Sequence, residues 1–143
     1  MKTILIAHNY TENSFAAMSF NLAHRLAELG NRIVFVSHKP FFKDTEIIKK
    51  GKGEIILLSW SSERRPTSVK DFFWFTKIYL RYKPNVVLGH FVGSNITISV
   101  SKLLSFGSVK TFAYYHTLRN QILIDSKNKN FKRELLFFRK KLF

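Results

Sequence analysis

Short apolar runs alternate along this chain with stretches whose apolar residues recur every three or four positions. Thr3 to Ala7 is a continuous apolar run, the pattern of a parallel strand covered on both faces. From Ser14 to Leu29, Phe15, Met18, Leu22, Leu26 and Leu29 fall at helical spacing. Ser14 can cap the start of that helix, and Gly30 stands where a C-terminal cap belongs. Arg32 to Ser37 predicts a second buried strand. Lys39 to Gly53 reads as a linker containing Pro40 and a short helix near Thr45 to Lys50.

The alternation then repeats. Glu54 to Ser59 predicts a third strand, and Val69 to Tyr82 a bulky helix closed by Lys83-Pro84. Asn85 to Gly89 predicts a fourth strand, Ile96 to Phe106 a helix, and Lys110 to Tyr115 a fifth strand. Asn128 to Phe143 predicts a basic helix. Strand and helix alternating through short loops imply one α/β domain over residues 1–143, a Rossmann-like doubly wound parallel sheet.

In such sheets ligands bind beyond the C-terminal ends of the strands. The segments to read are therefore His8-Asn9-Tyr10-Thr11, Ser37-His38, Ser59-Trp60, Gly89-His90-Phe91-Val92-Gly93 and His116-Thr117. Four of the five histidines, His8, His38, His90 and His116, fall there, and His24 lies inside the first helix. Imidazole donates or accepts hydrogen bonds and titrates near neutrality, which suits sugar hydroxyls and phosphates.

Composition narrows the chemistry. The chain has no cysteine, so disulfides and thiolate metal sites are excluded. Clustered histidines raise zinc as a competing reading, but carboxylates are scarce and HExxH or HxH spacing is missing, so no metal is expected. There is no GxGxxG after the first strand, no GxxxxGK[ST], no GxSxG and no acidic pair at a strand end. A Rossmann-like sheet without its own catalytic set suggests half of a two-domain site. No run approaches the roughly 20 apolar residues of a membrane span, and the opening apolar run is short for a signal peptide. The expected location is the cytoplasm.

These segments, taken in order, resemble the N-terminal domain of family 4 glycosyltransferases. The opening Met1-Lys2-Thr3-Ile4-Leu5-Ile6-Ala7, then a helix ending Leu26-Ala27-Glu28-Leu29-Gly30 before Asn31-Arg32-Ile33-Val34-Phe35, is similar to that family's start. Lys83-Pro84-Asn85-Val86-Val87-Leu88-Gly89-His90-Phe91 and Thr111-Phe112-Ala113-Tyr114-Tyr115-His116-Thr117-Leu118 resemble two later segments, and Asn130 to Phe143 the basic helix that follows. The resemblance implies the N-terminal half of a GT-B fold, in an enzyme that moves a sugar from a nucleotide-sugar to an acceptor with retention. The nucleotide-sugar would be a cosubstrate, with no further cofactor.

By the same resemblance, His90 and Phe91 would face a saccharide or lipid-linked acceptor of cell-surface polysaccharide synthesis, and His116 would be catalytic. His8, Asn9, Tyr10 and Thr117 complete the expected acceptor set, and the 8–13 loop would also lie near the donor phosphates. That loop lacks the family's glycine pair, and Asn85 stands where Asp is usual. The acidic motif of the donor domain is missing from these 143 residues. A donor domain or separate subunit is therefore an expected partner, and the chain is expected to be inactive alone.

The formal charge of +15 attracts polyanions. Phe41-Phe42-Lys43, Asp71 to Tyr82, and seven cations against Glu134 between Lys127 and Lys141 mix cations with bulky apolar groups. They suggest peripheral contact with an anionic membrane surface at its inner face. The alternative reading is a non-catalytic basic α/β module that binds polyanions such as nucleic acid. No helix-turn-helix, zinc finger or RNP motif supports it, so nucleic acid is not the expected partner.

Overall fold

The computed structural model describes residues 1–8, 16–37, 42, 45–60, 68–90 and 95–114. In chain order the elements are β1 (Thr3–His8), α1 (Ala16–Glu28), β2 (Arg32–Ser37), β3 (Glu46–Lys50), β4 (Gly53–Ser59), α2 (Val69–Tyr82), β5 (Val86–His90), α3 (Asn95–Leu104) and β6 (Lys110–Tyr114). They build a six-stranded sheet in the order β3-β4-β2-β1-β5-β6. Every neighbouring pair is parallel except β3 with β4. The α/β class and the doubly wound sheet expected from the alternation are present. The basic helix expected over 128–143 lies outside the described residues.

Between Lys39 and Gly53 the structure corrects the sequence reading. Glu46–Lys50 is not a helix but an antiparallel edge strand hairpinned to β4. Gly51 and Lys52 form the two-residue turn, with Gly51 at a positive φ of 56°, as short hairpin loops require. The pairing sets Lys49 opposite Glu54, and Arg32 is the partner of Glu54 on the other side. Glu54 Oε1 accepts from Arg32 Nε at 2.6 Å, and Oε2 from Lys49 Nζ at 2.6 Å. One carboxylate thus ties three strands together. Its lysine and arginine hydrogen bonds hold it below its ordinary 4.5.

Two cores flank the sheet. On one face Ala23 and Ala27 of α1 join Ile6, Ile33, Phe35, Ile55 and Leu57 of the sheet. On the other face Leu5, Ala7, Val34, Val36, Ile56, Leu58 and Val87 meet Trp60, Phe75 and Tyr79 and the α3 residues Ile98 and Val100. The inner face of α1 differs from the one the bulky periodicity implied. Ala16, Ser19, Ala23 and Ala27 are buried, whereas Met18, Leu22 and Leu29 are exposed. Small side chains let the helix axis come close to the sheet. Gly53 reports the same closeness, since a Cβ there would collide with the carbonyl oxygens of Ala27 and Asn31.

The start of α2 is anchored through polar contacts. Ser68 and Asp71 form a capping box. Asp71 also accepts from the Trp60 indole N–H at 2.6 Å. Trp60, fully buried against Trp74 and Phe75, is therefore a strut between β4 and α2 rather than a surface residue at the strand end. Asn85 has a similar duty at the opposite edge. Its side-chain carbonyl accepts from Thr3 N–H at 2.8 Å, and its backbone N–H donates to Thr3 O at 2.8 Å.

Two stability changes follow. Gly53→Ala forces a methyl against backbone that cannot swing away, and should cost about 3 kcal/mol in chemical denaturation; a neutral result would refute the close approach. Glu54→Gln should cost about 1 kcal/mol near neutrality. Because the folded carboxylate titrates below its ordinary value, its stabilisation is complete above about 4.5 and is lost as pH falls through the depressed folded value. Denaturation midpoints of wild type and Glu54→Gln should therefore converge on acidification.

Candidate functional site

The chain leaves β1 in one direction towards β2 and β4, and returns to the other side as β5 and β6. α1 covers one face, and α2 and α3 the other. The topological switch point of the sheet therefore lies between β1 and β5, where doubly wound sheets open a crevice for ligands. His8 ends β1 and His90 ends β5. Ala7 pairs with Gly89, so the two histidines stand side by side one residue beyond that pair.

Their rings stack with centroids 4.5 Å apart and planes 2° from parallel. Ser19, from the small inner face of α1, sits against both. Its Oγ is 2.7 Å from His8 Nδ1 and 3.2 Å from His90 Nε2. His8 is 1% exposed and His90 7%. On the far side of His90, the half-exposed Tyr114 of β6 approaches to 5.4 Å between centroids. Ser37, fully buried, pairs with His8 across β2, and Ser59 pairs with Ser37 across β4. A row of polar side chains, Ser59, Ser37, His8, His90 and Tyr114, thus runs along the C-terminal edge of five parallel strands. Ser59 Oγ accepts from Phe42 N–H at 2.6 Å.

The stacking constrains the charge. Two imidazolium ions this close would repel by about 4 kcal/mol at an effective dielectric of about 20. The pair therefore favours zero or one proton. Among the described residues no group of three or more His, Cys, Asp or Glu side chains is placed to hold a metal ion.

Of the residues singled out from sequence, His8 and His90 are brought together. Asn9, Tyr10, His38, Phe91, His116 and Thr117 lie outside the described residues. His24 stays on α1 and packs edge-on against Phe20 at 4.8 Å. Sequence reading missed Ser19 and Tyr114. A serine within the small stripe Ala16-Ser19-Ala23-Ala27 was the available signal for the first. Comparison with protein-family models and with curated proteins finds no match.

Proposed function

We propose that this chain is the acceptor-side half of a retaining GT-B glycosyltransferase, passing a sugar from a nucleotide-sugar to a saccharide or lipid-linked acceptor in cell-surface polysaccharide synthesis. The observation that carries it is the stacked His8–His90 pair at the switch point between β1 and β5. Neutral imidazoles offer hydrogen bonds to sugar hydroxyls without the desolvation cost of a buried charge. The resemblance in the β5 and β6 segments points the same way. His90 would help to hold the acceptor, and His116 would act at the reacting sugar. A second domain would supply the donor and most of the charge stabilisation in the transition state.

The outward face of α2 extends the reading to a cytoplasmic enzyme resting on an anionic membrane. Lys70, Lys77 and Arg81 are exposed there beside Val69, Phe73 and Leu80. The one acid of α2, Asp71, is buried and bound to Ser68 and Trp60. Cations on an apolar stripe suit peripheral contact with acidic headgroups. Among the described residues no helix is long and apolar enough to cross a membrane.

The test is sugar transfer from a panel of nucleotide-sugars, with the purified chain alone and together with the protein encoded directly downstream. Transfer should appear only in the mixture, and His116→Ala should lower it by about 100-fold or more. Absence of transfer in both arms, with tight salt-sensitive binding to nucleic acid, would favour the basic binding module instead.

A further inference from the structure

Two buried histidines that share one hydroxyl are not independent groups. Serine has a single O–H proton and can give it to only one of the two ring nitrogens it touches. If that proton goes to His8 Nδ1, the bond to His90 requires His90 Nε2–H as donor. If it goes to His90 Nε2, the bond to His8 requires His8 Nδ1–H. In the first arrangement both neutral rings carry their proton on Nε2, and in the second both carry it on Nδ1. A mixed pair in which both rings donate to Oγ would leave the buried serine proton without an acceptor, because among the described residues Ser19 Oγ meets only these two nitrogens.

We infer that His8, Ser19 and His90 work as one proton-sharing unit, in which the Ser19 hydroxyl holds both imidazoles in matched tautomers and positions His90 at the sheet's C-terminal edge. Ser19 is a positioning residue, acting on a ligand only through the rings. The unit takes one extra proton without breaking a bond. His8 Nδ1–H then donates to Ser19 Oγ while Oγ–H donates to His90 Nε2. Moving the His8 proton onto Oγ as the Oγ proton passes to His90 shifts the charge from one ring to the other, with no atom gained or lost. A second proton meets like-charge repulsion across 4.5 Å and forces the serine proton away from both rings.

Among the described residues the elements packed around the unit bring little charge to it. α1 contributes Ser19, and its His24, Arg25 and Glu28 lie more than a helical turn further on. β2 contributes Ser37, and β6 the Tyr114 phenol. α3, on the opposite face of the sheet, carries Lys102 as its one charged residue. The use of the unit in binding an acceptor hydroxyl rests on the proposed function, whereas the unit itself does not.

The experiment is long-range proton–nitrogen spectroscopy of the histidine rings in the uniformly 15N-labelled full chain, without ligand, from about pH 8 to pH 5. Expected are single, matched tautomers at the high end, and two protonation steps separated by about one pH unit or more. Ser19→Thr, which keeps the hydroxyl, should preserve both features. Ser19→Ala should let at least one ring relax into a mixture of tautomers. Opposite tautomers in the wild type would overturn the inference. So would a folded Ser19→Ala variant with both rings unchanged. Should Ser19→Ala not fold, the wild type and Ser19→Thr decide the matter. Since no ligand is used, a negative result here leaves the transfer assay open, and a negative assay leaves the tautomers standing.

Discussion

The close approach of α1 to the sheet is the constraint on which the rest of the molecule depends. Ala16, Ser19, Ala23 and Ala27 give the helix a nearly flat inner face, and Gly53 removes a Cβ that would push its C-terminal end away. Leucine or phenylalanine at 16, 23 or 27 would lift the helix and carry Ser19 out of reach of His8 and His90. A packing rule, small against small, thereby sets the geometry of a polar cluster. Scaffold and candidate site are joined through one residue position on one helix.

The two edges of the sheet are treated differently. At the N-terminal edge, Glu54 and Asn85 are used up in fastening strands: one in a three-strand carboxylate clamp, the other in a paired hydrogen bond to Thr3. The Trp60–Asp71–Ser68 contacts fasten the start of α2 by similar means. At the C-terminal edge between β1 and β5 the polar groups are aromatic and titratable, and they stack on each other. This histidine pair sits at the switch point, where ligands generally bind in doubly wound sheets.

Much of this was legible in the sequence, and the failures have physical causes. The apolar runs of β1, β2 and β4, and the boundaries of α2 at Val69 and Tyr82, follow from hydrophobic period, capping and the proline at 84. The placing of His8 and His90 at strand ends followed from the same runs. Glu46–Lys50 differs from its expected helix because an edge strand carries charge and lacks a buried alternation, and its one sequence signal is the turn Lys50-Gly51-Lys52-Gly53. The inner face of α1 was misread because bulky residues draw the eye, whereas close packing selects alanine, serine and glycine. Ser19 was invisible for that reason. Its meaning comes from a register between β1 and β5 that only the folded sheet reveals.

On the proposed function, the C-terminal edge at the β1–β5 junction is the ligand-facing side of this domain. The most direct test is a backbone amide titration of the labelled full chain with nucleotide-sugars and with acceptor saccharides. Shifts are expected to concentrate at His8, Ser19, Gly89, His90 and Tyr114. Shifts gathered instead around Glu54, Asn85 and Lys110, or no response to any sugar ligand beside strong perturbation of the outward face of α2 by nucleic acid, would contradict it.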